Sequence, residues 1–328
     1  MIDLDVPVVQ APLAGGPSTP ELAAAVSNAG GLGFVAAGYL SSAALAEQIQ
    51  RTRELTDNPF GVNLFVLTDE PVDDSAIAEY AGLLTGEAER YGVALGEPRF
   101  DDDDFAAKLD VVVAERVAVV STTFSGPPPE LIERVHEAGG EVWATVTSAV
   151  EARAACTAGA DVLVAQGAEA GGHRGAWRDD DGPDLGLLAL LSSIDVSLPV
   201  VAAGGIADRA RAAAALTAGA AAVQAGTAFL LCPEAATPAA LRRAVAAGGE
   251  TAMTRAFTGR RARGIVNEFM RLHPAAPSAY PQIHHLTAPL RAAARAAGDA
   301  QRINLWAGTE FRRTEARPAA AIVSALRP

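Results

Sequence analysis

Short apolar runs rich in Val, Ala and Leu alternate along the chain with longer Ala-rich stretches of amphipathic, helical character. This alternation is typical of parallel β-strands joined by helices. Eight runs have the length and composition of buried strands: residues 6–10, 32–36, 61–65, 117–121, 142–146, 162–165, 200–203 and 222–225. Eight strands separated by helical segments suit a closed barrel better than an open sheet of five or six strands. The pattern therefore predicts an α/β protein built on a TIM (β/α)8 barrel.

Two segments interrupt this rhythm. Residues 67–116 separate the third strand from the fourth and contain a helix-like stretch at 75–91. Residues 231–297 follow the eighth strand and contain helix-like stretches at 238–247 and 289–297. Both segments exceed ordinary barrel connections. We therefore expect residues 1–66 and 117–230, closed by about 298–328, to form the barrel, and the two long segments to form a helical lid with the substrate-binding region.

Composition and charge exclude several classes of protein. Half of the 328 residues are apolar and a fifth are charged, which is a globular composition. A net charge of −13 argues against nucleic-acid binding, because phosphates need clustered Lys and Arg. Two cysteines, Cys156 and Cys232, predict neither a disulfide framework nor a metal site. The first residues lack the pattern of a signal peptide, so we expect a cytoplasmic protein.

One uncharged stretch, residues 212–231, matches a membrane span in length. It is mostly alanine and contains Thr217, Gln224 and Thr227. The end of a helix joined to a buried strand fits this composition better than a membrane helix. We therefore expect no contact with a membrane.

Two glycine-containing turns follow the seventh and eighth predicted strands. Gly204 and Gly205 end one strand and lead into a helix, so that backbone amides and a helix N-terminus would face outward together, as a phosphate requires. The next strand ends in a second such run: Gln224, Ala225, Gly226 and Thr227. In barrels the loops after strands seven and eight often form a phosphate site. The two turns together predict a phosphorylated cofactor.

The segment 165–175 follows the sixth predicted strand and has four glycines in eleven residues. Gly171 and Gly172 let the backbone approach a flat or phosphorylated ligand closely. Beside them stands His173, whose imidazole changes protonation near neutral pH without help. The segment predicts a cofactor face, reached by Gln166, with His173 as the catalytic residue.

Small and polar residues at two further strands fit a flat ring laid across the barrel mouth. The first strand ends in Gln10, Ala11 and Pro12, followed by Gly15 and Gly16. In the third strand, Asn63 is a polar side chain among apolar neighbours. A buried amide needs hydrogen-bond partners, and from the sequence these are either a ligand or the protein itself.

The motifs together resemble the bacterial-type nitronate monooxygenases, formerly called 2-nitropropane dioxygenases. The similarity covers essentially the whole chain, in residues 10–16, 22–33, 59–65, 165–175, 204–206, 223–230 and 303–309. Two places depart from the family: Leu13 stands where methionine is usual, and residues 121–124 lack a histidine often found there.

The resemblance implies an FMN-bound barrel that oxidises alkyl nitronates, propionate 3-nitronate among the candidates, with O2 to a carbonyl compound and nitrite. His173 would be the imidazole that faces the nitronate. Tyr280 and His285 in the lid are candidates for the substrate pocket. The positions expected to bind the cofactor are Gln10, Ala11, Pro12, Asn63, Gln166, Gly171, Gly172, Gly204, Gly205, Gln224, Ala225, Gly226 and Thr227.

Two alternative functions stay open at this point. A flavin-dependent enoyl-thioester reductase of the same superfamily also carries a Gly-Gly-His motif, but it would require NAD(P)H and an acyl-thioester channel. Residues 14–16 and 303–309 favour the monooxygenase. The other alternative is a flavin-binding accessory protein without turnover, against which the retention of His173 argues.

Overall fold

The barrel predicted from the sequence is present in the computed structural model, which describes residues 1–180, 182 and 184–327. The described strands are β1 (Val8–Gln10), β2 (Phe34–Ala36), β3 (Gly61–Phe65), β4 (Val119–Thr123), β5 (Glu141–Val146), β6 (Val162–Gln166), β7 (Gly172–His173), β8 (Val200–Ala203), β9 (Ala222–Ala225), β10 (Thr251–Thr254) and β11 (Ala262–Ile265). Eight of these form one parallel sheet in the order β1-β9-β8-β6-β5-β4-β3-β2. A parallel bridge between Val9 and Leu32 joins its two edges, which confirms the TIM-barrel prediction.

The helices follow the strands in the βα order of a barrel. They are α1 (Pro20–Asn28), α2 (Ser42–Leu55), α3 (Asp74–Tyr91), α4 (Phe105–Ala114), α5 (Pro129–Glu137), α6 (Ala149–Ala158), α7 (Leu187–Ser193), α8 (Arg209–Thr217), α9 (Ala239–Ala247), α10 (Glu268–Leu272), α11 (Gln282–Ala296) and α12 (Ala319–Leu326). Near the chain's end, α12 packs against α1 and α8. It thereby occupies the place of the helix that would otherwise follow the eighth barrel strand.

Local sequence accounts for the helix starts. Thr19 caps α1 by accepting a hydrogen bond from Leu22 N, and Pro20 takes the first helical position, where its missing N–H is not needed. Ser41 caps α2 in the same way, through Ala44 N. These caps set the residue at which each of the two helices begins.

The barrel interior is closed by aromatic side chains packed against glycine. Phe34 and Trp143 are buried with ring centroids 5.9 Å apart. A Cβ on Gly61 would lie 2.3 Å from the Phe34 ring, so only glycine leaves room for this ring between β2 and β3. Burying a phenylalanine contributes about 1.5–3 kcal/mol, which stabilises the bottom of the barrel beneath the site.

The lid is a second layer over the carboxyl ends of the barrel strands. Helices α3 and α11 pack on each other, and Tyr80 of α3 donates a hydrogen bond of 2.7 Å to Ala256 O. Gly96 donates to Leu286 O of α11, and a Cβ at Gly96 would lie 2.1 Å from His285 O. In contrast, α4 packs against α2 and α5 of the barrel through Leu109 and its neighbours. The 67–116 segment is thus shared between the two layers.

A short antiparallel sheet connects the lid to the barrel. It has the order β10-β11-β7, in which His173 pairs with Ala262. The uncharged stretch 212–231 contains the end of α8, strand β9 and a 3-10 helix, Thr227–Phe229. Among the described residues, no helix is both long and apolar enough to cross a membrane.

Candidate active site

A cavity of about 430 Å³ opens at the carboxyl ends of the barrel strands, beneath the lid. This is the end of a TIM barrel where active sites lie, and the volume is within the range of small-molecule sites. The residues expected to bind a cofactor or substrate that line it are Ala11, Pro12, Asn63, Gln166, Gly171, Gly172, His173, Gly204, Gly205, Gln224, Ala225, Gly226 and Thr227. The fold therefore brings together residues that lie as far as 216 positions apart in the chain, from Ala11 to Thr227.

Gln10 is not among the lining residues. Its side chain is fully buried beneath them, where Oε1 accepts a hydrogen bond of 2.9 Å from Phe34 N and Nε2 donates to Ser18 Oγ and to Ala11 O. These contacts hold the first strand's exit against the second strand. Gln10 thus shapes the cavity wall from behind.

Glycines clear the floor of the cavity. Gly172 has φ +76°, and a Cβ there would meet no protein atom within 4 Å, so the space beside it is open. Gly171 is constrained from the other side, because a Cβ would lie 2.4 Å from the backbone of Ala307. The backbone of this loop therefore faces the cavity while the C-terminal segment packs against its back.

Hydrogen bonds within the protein hold the side-chain amides of two cavity residues, Asn63 and Gln166. Asn63 Nδ2 donates to Ser121 Oγ at 2.9 Å and to Thr123 Oγ1 at 3.0 Å. Gln166 Oε1 accepts from Gly175 N at 2.8 Å, and Gln166 Nε2 donates to His173 O at 3.2 Å. Asn63 thus has the structural partners that the sequence left as one alternative, and contact with a ligand stays a prediction for this cavity-lining residue.

The C-terminal segment closes the end of the cavity near the two glycine turns. Gly308 N donates to Thr227 Oγ1 at 3.0 Å, and Thr314 Oγ1 donates to Thr227 O at 3.2 Å. Arg313 lines the cavity here, and its Nη1 lies 3.3 Å from Asp208 Oδ2. Asp208 caps the helix α8 that follows Gly205. This end therefore offers backbone amides, a helix N-terminus and a guanidinium.

The opposite end of the cavity is built around His173. Its Nε2 lies 2.9 Å from Thr258 Oγ1, and the Thr258 hydroxyl is also 3.4 Å from Arg260 O. The imidazole is surrounded by aromatic rings, with centroids 5.5 Å from Trp306 and 5.7 Å from Phe124. Strand pairing fixes the backbone of His173 and Thr258 fixes one ring nitrogen, so the imidazole is held in one orientation.

The surroundings of His173 oppose a positive charge. Burial, followed by the charges of Arg260 and Arg291, lowers the pKa of the His173 imidazole to about 3, against a smaller opposing effect of Asp179. The imidazole is therefore neutral at ordinary pH in the ligand-free protein. A neutral imidazole can donate one hydrogen bond and accept another.

The roof of the cavity contains residues that the sequence analysis did not assign. Tyr39 stacks on His284 with ring centroids 4.4 Å apart, and Arg291 Nη2 donates to His284 O at 2.9 Å. All three residues line the cavity, as do Thr258 and Trp306. They come from distant segments whose contact depends on how the lid docks. The one local signal would have been the i, i+4, i+7 spacing of 284, 288 and 291 on one helix face.

The two lid residues proposed for the substrate pocket lie outside the set that lines the cavity. Tyr280 is nevertheless close, because its ring centroid is 5.6 Å from that of His173 and its hydroxyl is 3.2 Å from Tyr39 Oη. His285 points away from His173, towards Asp101, with Nε2 3.6 Å from Asp101 Oδ2. Of the two neighbouring histidines on α11, it is His284 that lines the cavity.

Comparison with known proteins agrees with this geometry. Over residues 1–328 the chain matches the protein family described as nitronate monooxygenase. A probable nitronate monooxygenase from Staphylococcus aureus strain N315 is 38% identical over an alignment of 336 positions, which covers 99% of this chain and 94% of that protein. The crystal structure of nitroalkane oxidase from Streptomyces ansochromogenes is 49% identical, with a TM-score of 0.95, and the match covers 98% of this chain and 95% of the other. FabK from Thermotoga maritima is 27% identical, with a TM-score of 0.76 and coverage of 98% and 92%.

Proposed function

The chain belongs to the nitronate monooxygenase family, and we propose that it binds one FMN and oxidises alkyl nitronates with O2 to a carbonyl compound and nitrite. The family consists of flavin-dependent oxidoreductases, and this chain is an oxidoreductase of that kind. The observation that carries the finer proposal is that one cavity is lined both by His173 and by the two glycine turns. A phosphorylated, planar cofactor needs the glycine turns for its phosphate, and an anionic substrate beside it needs a polar side chain such as His173.

The residues of the cavity fit FMN. The open space beside Gly172 would accommodate a planar ring against the backbone, and Asn63, Gln166 and Gln224 also line the cavity. The turns at Gly205 and Thr227, beside the N-terminus of α8, would hold the phosphate. When bound, FMN supplies the electron acceptor that nitronate oxidation requires and passes the electrons to O2.

His173 would bind and orient the nitronate as a neutral imidazole. With one ring nitrogen held by Thr258, the other is left for the substrate. The rings of Trp306, Phe124 and Tyr280 place apolar surface around this imidazole. Apolar surroundings strengthen a hydrogen bond to a charged oxygen.

A second substrate form is favoured by one comparison, the 49% identity to a protein named nitroalkane oxidase. If neutral nitroalkanes are also substrates, His173 would remove the α-proton as a general base. Its low pKa opposes this role in the free protein, and the negative charge created on the substrate would offset that opposition. Preformed nitronates are therefore the expected better substrates.

The test is to identify the bound cofactor and to follow turnover. We expect the purified protein to be yellow, to release FMN on denaturation, and to consume O2 and release nitrite with propane-2-nitronate in the absence of NAD(P)H. Propionate 3-nitronate and ethylnitronate complete the panel. A protein that stays colourless after FMN is added, or that holds FMN without oxidising any of these nitronates, would overturn the proposal.

A further inference from the structure

Arg291 is a buried cation that faces the substrate end of the cavity. It lies on α11, on the same helix face as His284, and only 7% of it is exposed. Its guanidinium donates from Nε to Thr287 Oγ1 at 3.0 Å and from Nη2 to His284 O at 2.9 Å, and Nη2 also lies 3.2 Å from His284 Nδ1. These partners are neutral groups of the same helix. They orient the guanidinium without balancing its charge.

No carboxylate of residues 1–180, 182 and 184–327 forms an ion pair with Arg291. The nearby phenols of Tyr39 and Tyr280 do not replace one, since desolvation raises the pKa of both hydroxyls above the ordinary value for tyrosine. Burial also lowers the pKa of Arg291 to about 10, which leaves it charged at neutral pH. Because a buried charge is normally paired, the arrangement calls for an anion that comes from outside the chain.

The other buried arginine near His173 is used differently. Arg260 lies over the Phe124 ring at 4.4 Å and donates to Ala176 O and Arg174 O. It forms part of the wall behind Phe124 and does not line the main cavity. His173 supplies no positive charge either, because it is neutral. Among the residues that the structure describes, Arg291 is thus the buried arginine that lines this cavity.

We propose that Arg291 binds the negatively charged oxygens of the substrate and makes the site selective for planar monoanions over neutral molecules of the same shape. The proposal rests on the proposed function, since it assigns a residue to the same substrate. A guanidinium presents parallel N–H donors that match two oxygens on one atom, as in a nitronate or a carboxylate. His173 and Arg291 would then share the anion, the first orienting it and the second balancing its charge.

A matched pair of inert ligands tests the selectivity on the wild-type FMN-loaded protein. Isobutyrate and isobutyramide have the branching of propane-2-nitronate, with a tetrahedral C2 in place of its planar one, and they differ from each other in charge. We expect isobutyrate to inhibit nitronate oxidation competitively and about 10- to 100-fold more tightly than isobutyramide, which is the range for a charge-assisted hydrogen bond. Equal inhibition constants for the two would overturn the proposal.

Two substitutions then test whether Arg291 causes the preference for isobutyrate over isobutyramide. Arg291→Gln should abolish the preference for isobutyrate and raise KM for the nitronate. Arg291→Lys should weaken the binding of isobutyrate by about 10-fold, because an ammonium cannot form the bidentate contact of a guanidinium. The inhibition constant of isobutyramide should be unchanged. The control is Arg271→Gln, an exposed position on α10 of the lid, which should match wild type. Flavin content and Tm verify that each variant is folded.

The outcomes separate this proposal from the proposed function. A wild-type protein that oxidises no nitronate contradicts the proposed function itself. If the wild type is active but Arg291→Gln keeps the isobutyrate preference, the assignment of Arg291 alone is wrong. Should Arg291→Gln fail to fold, the lysine variant decides, because an unchanged inhibition constant for isobutyrate would still contradict the proposal.

Discussion

At the scale of single residues, His173 is held as a neutral imidazole between aromatic rings and one hydroxyl. Its two candidate roles give different outcomes for His173→Asn. Loss of an orienting group should lower kcat/KM on preformed nitronate and on neutral nitroalkane alike, whereas loss of a general base should abolish only the second. The low pKa favours the first outcome. Wild-type rates on both forms, with flavin bound, would remove His173 from the mechanism.

Thr258 is a positioning residue, since it acts through His173. Thr258→Val keeps the shape and removes the hydroxyl 2.9 Å from Nε2. We expect kcat/KM for nitronates to fall by about 10-fold, which is the value of one such hydrogen bond. Thr258→Ser restores the hydroxyl and should recover most of the loss. Equal kinetics of the valine and serine variants would show that the hydroxyl does not position the imidazole.

A substitution at Gly226 tests whether the second glycine turn binds the cofactor. The Cβ of a side chain there would lie 3.2 Å from Leu13 and 3.3 Å from Ala11, so the remaining atoms of a leucine must enter the cavity or displace these neighbours. Gly226→Leu should therefore weaken FMN binding by about 5- to 150-fold, because overpacking costs about 1–3 kcal/mol. Gly82→Leu is the matched control, since a Cβ at this exposed site on α3 meets nothing within 4 Å. FMN titration followed by fluorescence quenching measures both.

At the scale of elements, helix α11 presents one face to the cavity and the adjacent face to the 67–116 segment. His284 and His285 are consecutive, yet only His284 lines the cavity, while His285 contacts Asp101. His284→Ala should change the ranking of nitronates by kcat/KM, and His285→Ala should leave it as in the wild type. The flavin affinity of both variants should be unchanged. A changed ranking in His285→Ala and an unchanged one in His284→Ala would show that the face of α11 with His285 contacts the substrate.

The strand positions follow from the sequence to within about two residues because each barrel strand is a short, mostly buried apolar run. The sequence pattern predicts helix α11 only from residue 289, where a proline suits the first position of a helix. Here Pro289 lies inside the helix, which begins at Gln282. Gly96 packs close to the His285 carbonyl, which Pro289 cannot satisfy, and its N–H donates to the next carbonyl along the helix, Leu286 O, at 2.9 Å. No local pattern could reveal that contact.

At the scale of the whole molecule, the site divides into a part that the sequence predicts and a part that depends on docking. The turns at Gly204 and Gly226 follow barrel strands, and barrel topology alone brings them to one end. Arg291 and Tyr39 reach the cavity through packing of the lid, which involves contacts between segments more than 200 residues apart. Which layer a lid residue faces is decided by that packing.

Burying neutral histidines also makes stability depend on pH. Burial lowers the pKa of His173 to about 3 and that of His284 to about 2, both below the ordinary 6.5. As pH falls below 6.5, the unfolded chain takes up protons that the folded chain does not, so stability is lost by about 1 kcal/mol per histidine for each pH unit. Urea unfolding of the FMN-free protein across this range should show a shallower dependence in a His173→Asn, His284→Asn double variant. Parallel curves for wild type and variant would contradict the neutral burial of these rings.

The central claim is that the cavity joins a flavin to an anionic nitronate, and anaerobic mixing tests it most directly. The FMN-loaded protein is mixed without O2 either with propane-2-nitronate or with NADPH, and the flavin absorbance is followed. We expect the nitronate to bleach the flavin, O2 to restore its colour with release of nitrite, and NADPH to leave the colour unchanged. Rapid bleaching by NADPH, with none by the nitronate, would contradict the account and identify the enoyl-thioester reductase instead.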